Sequence, residues 1–186
     1  MDTTPIIALL EYGIQLKQMP RTGWVQRGVP QPENVAAHSY GVILTAWALA
    51  HCAPEPIDLG RLLALAALHD LPEALTSDIP TPVKEFFPVS VRAGLKTDIE
   101  RAALQTILRD TPFAAPWQQL WEELQASLTP EARLVHDADK LDMYLQALTY
   151  EEQTGNRRLG EFWAEPPAFF FDSSQAIYAA LRARRQ

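Results

Sequence analysis

The chain has 186 residues, 47% of them apolar and 21% charged, a balance that suits one globular domain with a full hydrophobic core. Its formal net charge of −7 argues against an extended nucleic-acid-binding surface, which is normally basic, and no apolar run approaches the ~20 residues needed to cross a bilayer. The only cysteine, Cys52, excludes an internal disulfide and a cysteine-rich zinc site. The first residues are amphipathic and lack a basic leader, so they read as a helix rather than a signal peptide, and a soluble cytoplasmic protein is expected.

Helical periodicity runs through the chain, with no sustained alternation of period two. Thr3 or Thr4 with Pro5 starts a first helix, with Ile6, Leu9, Leu10 and Gly13 along one side. Met19 to Glu33 holds three prolines and two glycines and reads as a loop. Asn34 is placed to cap a helix from Val35 to about Cys52, and Asp58 one that ends near His69 or Asp70, before Pro72. A second proline-rich loop follows from Thr76 to Pro88, then helices at about Val91–Asp110 and Ala115–Leu128. Thr129, Pro130 and Gly155 bracket a long helix whose buried face is marked by Leu134, Ala138, Leu141, Leu145 and Leu148. After an aromatic turn, Ser173 caps a last helix. The expected fold class is all-α, a compact multi-helix bundle over residues 1–186.

The chemistry-bearing residues are few. Of four histidines, His69 and His136 stand in His-Asp doublets. In "LAALHDLPEAL" the charges of Asp70 and Glu73 close an apolar segment, where a buried carboxylate needs a compensating partner. His69 and Asp70 project about 100° apart on a helix and can reach one ion at its end. Glu73, at i+4 from His69, can stand beside that ion as a general acid or base. The plainer alternative is a helix C-terminus where His69 meets the dipole. His38 is one turn into an apolar helix, a place where a hydrogen-bonded core histidine is equally natural. Imidazoles and carboxylates from facing helices suit a divalent first-row metal, with Mn²⁺, Co²⁺, Fe²⁺, Ni²⁺ or Zn²⁺ favoured over Mg²⁺. Asp137, Asp139 and Asp142 are further candidate ligands, and periodicity alone does not choose among them. Arg21 and Trp24 share a loop and suit phosphate binding and stacking, respectively. Asp78 and Lys84 lie in the other loop, each also readable as a turn residue.

Taken together, the motifs "RTGW", "PENVAAHSYGV", "LAALHDLPEAL", "SDIPTPVK" and "LVHDADKLDMYL" resemble the HD-domain metal phosphohydrolases, and within them the YfbR-like 5′-deoxynucleotidases. The likeness runs from about Ile14 to Gly155. It implies that His38, His69, Asp70 and Asp139 hold one divalent metal, that Glu73 is catalytic, and that Trp24 and Asp78 hold the nucleoside; Arg21, with Lys84 as the alternative, is the cation expected to steady the phosphate. The implied reaction is hydrolysis of 2′-deoxyribonucleoside 5′-monophosphates, and the implied assembly a homodimer. Its partner is a small nucleotide, not nucleic acid or membrane. Two places depart from the pattern: Ala37 stands where many relatives carry an acid, and Gly23 stands where some carry an arginine directly before the tryptophan. Removal of triphosphate from a dNTP, hydrolysis of another small phosphoester, and a non-catalytic nucleotide-binding protein with a structural metal are the alternatives. The aromatic-rich segments around Trp117, Trp121 and Phe162 to Phe171 are the expected apolar patch, with core packing as their alternative.

Overall fold

The computed structural model describes residues 2–79 and 94–185, and among these the chain forms nine α-helices, no strand and one isolated bridge between Pro20 and Asn34. In order they are α1 (Thr4–Leu16), α2 (Thr22–Gln26), α3 (Val35–Ala50), α4 (Leu59–Leu68), α5 (Glu73–Thr76), α6 (Leu95–Ile107), α7 (Ala114–Ala126), α8 (Pro130–Thr154) and α9 (Asp172–Arg185). A 3₁₀ helix, Arg157–Trp163, sits between the last two.

Local chemistry sets the main boundaries. The side chain of Asn34 accepts the Ala37 N–H at 2.8 Å, that of Asp58 the Arg61 N–H at 3.0 Å, and that of Thr129 the Ala132 N–H at 3.2 Å. Each satisfies a backbone donor that has no partner within its helix, typically worth ~1 kcal/mol. Pro130 takes the first position of α8, and Gly155 ends that helix with a φ of +66°, a conformation glycine adopts without a Cβ penalty.

The 25-residue α8 is the axis of the bundle, with α3, α4 and α9 packed along it. Their shared core includes Val42, Ala46, Leu49, Leu62, Leu65, Ala66, Leu134, Ala138, Leu141 and Tyr178. Alanines 46, 66 and 138 are fully buried, and their small side chains suit close packing of the three helices. A second cluster joins Leu9 and Leu16 of α1 to Val35, Leu68, Leu104, Ile107 and Trp121. Burying each such leucine stabilises the fold by roughly 1.5–3 kcal/mol. No helix among the described residues is long and apolar enough to cross a membrane.

Several expectations need correction. The Met19–Glu33 segment contains a helix, α2, which turns where Val29 and Trp24 bury against the core. In α1 the buried residues are Leu9 and Leu16, while Leu10 is 64% exposed. In α8, Leu145 is 44% exposed; the buried face runs through Leu134, Ala138, Leu141 and Leu148 without it. The last helix begins at Asp172, and the Ser173 hydroxyl has no hydrogen-bond partner, so it is no cap. Trp121 is fully buried and cannot belong to a surface patch. Phe170 of the aromatic turn is 51% exposed, and further apolar exposure lies on α3, at Tyr40, Leu44 and Trp47. The start of the helix expected at Val91 and most of the second proline-rich loop, Lys84 included, lie outside the described residues.

Candidate active site

Three helices meet where the sequence places its ionisable side chains. His38, one turn inside α3, faces α8. His69 is the C-cap residue of α4, and the backbone breaks at Leu71 and Pro72 so that Glu73 opens α5. Asp139 comes from the middle of α8. His38, His69 and Asp139 each offer one donor atom within 4.8 Å of the other two. The Asp70 Oδ2 lies 3.2 Å from His69 Nε2 and 3.6 Å from His38 Nε2, and Asp139 Oδ1 is 3.0 Å from His38 Nε2. All four predicted ligands are thus brought to one point.

The far side of each imidazole decides how it is presented. His38 Nδ1 donates to Asp142 Oδ2 at 2.8 Å, and His69 Nδ1 donates to the Ala66 carbonyl at 2.7 Å. Both rings therefore turn Nε2 toward the cluster, the orientation of a metal-ligating histidine fixed by its outer partner. Neither Nε2, though buried, has a well-aligned hydrogen bond. Burial disfavours charge on His38, yet the carboxylates of Asp139 and Asp142 outweigh it and push the pKa up to about 10. The cluster favours a positive charge at its centre, and two imidazoles with two carboxylates fit a divalent transition metal.

Beside this cluster lies a second charged group. Glu73 is 1% exposed and neither carboxyl oxygen has a hydrogen bond. Burial, then Asp70 and Asp78, hold its pKa well above the usual carboxyl range, while Arg21 and Lys96 pull the other way. Arg21 Nη1 stands 3.2 Å from Asp70 Oδ2 and 3.8 Å from Glu73 Oε2, and its Nε is 3.8 Å from Asp78. Burial opposes the guanidinium charge, but these acids and Asp139 keep it firmly protonated. Asp70 shows the converse: burial works against its charge, and His69, Arg21 and His38 hold it ionised. Asp78 also accepts the Thr22 N–H at 2.7 Å, which ties the start of α2 to the chain just after α5.

A cavity of about 440 Å³ opens onto both groups, within the ~300–1,000 Å³ common for small-molecule sites. Arg21, Trp24, Asp70, Glu73, Asp78 and Asp139 all line it. Trp24 is only 2% exposed, its N–H donating to Glu33 Oε1 at 2.9 Å and its ring packed against Tyr150 and Phe162. It is a fixed wall, since its polar end is already used.

The structure also sorts the acids of α8. Asp137 is fully buried and accepts the N–H groups of Phe170 and Phe171, so it anchors the aromatic turn before α9. Asp139 and Asp142, one turn apart, hold opposite nitrogens of His38. The orienting role of Asp142 was not legible in the sequence, nor was the part of Gly41, where a Cβ would stand 2.7 Å from Asp142 Cγ. Gly41 lies three residues after His38 on the same face, the one cue available. Lys96 was missed because a lysine paired at i+4 with Glu100 reads as a solvated helix surface. His136 Nε2 donates to the Leu124 carbonyl at 2.8 Å, a structural contact away from the cluster, and His51 is exposed at the end of α3.

An HD domain family model matches residues 14–168. The chain is 36% identical over 159 residues to the 5′-deoxynucleotidase HDDC2 of Danio rerio, covering 84% of this chain and 75% of that one. It is 33% identical over 168 residues to the 5′-deoxynucleotidase hdd1 of Schizosaccharomyces pombe, covering 86% and 80%. A crystal structure of a Pyrococcus horikoshii protein superposes with a TM-score of 0.76 at 33% identity, over 97% of this chain and 99% of that one. With its helical bundle, its His…His-Asp…Asp order and these relatives, the chain belongs to the HD-domain family.

Proposed function

We propose that the protein is a metal-dependent 5′-deoxynucleotidase, hydrolysing 2′-deoxyribonucleoside 5′-monophosphates to deoxynucleoside and phosphate. The observation that carries this reading is that the His38, His69, Asp70 and Asp139 cluster reaches, through Asp70 and Asp139, the same cavity as the unbonded buried carboxyl of Glu73. The 5′-deoxynucleotidases among its relatives support the choice of substrate.

His38, His69, Asp70 and Asp139 would hold one divalent ion from the Mn²⁺, Co²⁺, Fe²⁺, Ni²⁺ and Zn²⁺ group. Such an ion, when bound, lowers the pKa of water and polarises a phosphoryl oxygen. The other steps belong to the chain. Arg21, kept charged by its acidic surroundings, donates from the guanidinium to the phosphate. Glu73 is balanced between acids that favour its proton and cations that favour its loss, and so exchanges a proton at its carboxyl oxygens. It takes one from the attacking water or returns one to the leaving 5′-oxygen. Trp24, fixed by Glu33, Tyr150 and Phe162, forms the wall against the sugar, where a rigid ring leaves no room for a 2′-hydroxyl. Asp78 accepts a hydrogen bond from a sugar hydroxyl.

Product analysis tests the reading. Metal-stripped protein resupplied with Co²⁺ or Mn²⁺ is expected to release phosphate from dNMPs and little from NMPs, and to be inactive before resupply. Triphosphate released from dNTPs, with dNMPs untouched, would overturn the substrate assignment.

A homodimer and a cytoplasmic location go with this proposal. The α3 helix carries no charged side chain along its length beyond the buried His38, and Tyr40, Leu44 and Trp47 expose an apolar strip on it. A helix apolar on all sides is normally covered. Light scattering is expected to give twice the chain mass, and Trp47→Glu with Leu44→Glu to give the monomer; a monomeric wild type would refute the dimer. The lone exposed thiol of Cys52 is suited to a reducing compartment.

A further inference from the structure

Lys96 reaches the same cavity from the first turn of α6. Its Nζ stands 3.8 Å from Glu73 Oε1, whereas Arg21 Nη1 stands 3.8 Å from Glu73 Oε2. Two cations, Arg21 just ahead of α2 and Lys96 on α6, therefore flank the two oxygens of one buried carboxyl. Glu100, one turn along α6, meets the ammonium at 3.2 Å and holds it in the cavity wall rather than in solvent. A lysine side chain surrenders ~2 kcal/mol of rotamer entropy when fixed, so this placement needs the two carboxylates that receive it.

The charge of the cavity gives the placement a purpose. Asp70, Glu73, Asp78 and Asp139 line it, and a phosphate monoester brings roughly −1.5 to −2 more at neutral pH. A divalent ion and one arginine leave that total negative. Of the remaining cations in the wall, Lys140 donates to the Ala168 carbonyl at 2.6 Å, and Arg27 is taken up by the Gly23 carbonyl and Glu161. Lys96 is directed at the reacting region.

We propose that Lys96 is a second phosphate-binding residue, donating from Nζ to a phosphoryl oxygen across from Arg21, with Glu100 as the residue that positions it. The proposal rests on the phosphomonoesterase reading and deepens it. It is tested on the full chain with Lys96→Met and Lys96→Arg. Titration calorimetry with inorganic phosphate is expected to show binding weakened about tenfold or more in Lys96→Met and restored to within about threefold in Lys96→Arg, as for loss and return of a charge-assisted hydrogen bond. The KM for a dNMP is expected to rise in step, while inhibition by the corresponding deoxynucleoside, which has no phosphate, stays unchanged. A fall in kcat with phosphate affinity intact would overturn the proposal, since Lys96 would then act only through Glu73. Should Lys96→Met fail to fold, Lys96→Gln, which keeps a polar end at this partly exposed position, is read in the same way. The two readings fail separately. A wild type that binds phosphate through Lys96 but does not hydrolyse dNMPs sinks the substrate assignment alone. A wild type that hydrolyses dNMPs, with phosphate affinity equal in all variants, sinks the Lys96 proposal alone.

Discussion

His38→Ala is expected to leave the protein without stoichiometric metal and to lower kcat/KM on a dNMP by more than about a thousandfold. The reason is its central position. His38 Nε2 lies 3.0 Å from Asp139 and 3.6 Å from Asp70, while Nδ1 binds Asp142 at 2.8 Å. Alanine removes a ligand and at the same time takes the imidazole donor from Asp139 and Asp142, while Asp70 keeps Arg21. The loss of one buried, charge-linked partner typically costs ~1–3 kcal/mol of stability in addition. Metal content by elemental analysis, read beside activity, checks the assignment. A variant that keeps one equivalent of metal would show that His38 is a core histidine of α3 and that the ion sits elsewhere.

Glu73→Gln is expected to behave differently. It should lower kcat about 10²- to 10⁴-fold, the usual contribution of a positioned acid or base, with metal content unchanged and KM within about threefold. Glutamine has the same shape and cannot ionise. Because burial and the neighbouring acids already favour the neutral carboxyl and it forms no hydrogen bond, glutamine exchanges one buried polar group for another, and the melting temperature is expected to change little. Loss of metal in this variant would make Glu73 a ligand rather than a proton carrier. Activity retained in full would remove it from the mechanism.

The two variants divide the site along a boundary that the structure draws. His38, His69, Asp70 and Asp139 form a cluster whose Nε2 atoms lack well-aligned partners, while Glu73 sits next to it among Arg21, Lys96 and Asp78. In the proposed mechanism one group supplies ligands and the other handles protons and phosphate. Their adjacency follows from the break at Leu71 and Pro72, which ends α4 at His69 and restarts the chain as α5 with Glu73 at its head.

Much of this was written in the sequence. The caps at Asn34, Asp58 and Thr129, the proline at 130 and the glycine at 155 act on backbone groups within three or four residues, so their effects are local and legible. So was the apolar periodicity of α3, α4 and α8, which fixes the all-α class, and so were the His-Asp doublet and the glutamate four residues on. What failed locally did so for want of length or because a neighbour decided. α2 and the 3₁₀ helix are too short to show a period, and Leu10 and Leu145 satisfy a helical pattern yet face outward, because no helix among the described residues covers them.

The roles of three aspartates in six residues of α8 depended wholly on partners more than 30 residues distant in the chain. Asp137 meets the backbone of Phe170 and Phe171, Asp139 meets His38 Nε2, and Asp142 meets His38 Nδ1 through the space left by Gly41. The same holds for Lys96, which by itself is a helix-surface lysine and acquires a use only because α6 lays it beside Glu73. By itself the sequence determined which residues are able to bind a metal and move a proton, since that is a property of side-chain type and short spacing. Which of them share one ion, which only orient a ligand, and which cation faces the carboxyl was decided by the packing of α3, α4 and α6 around α8, because Coulomb and hydrogen-bond energies depend on distances that only the folded chain sets.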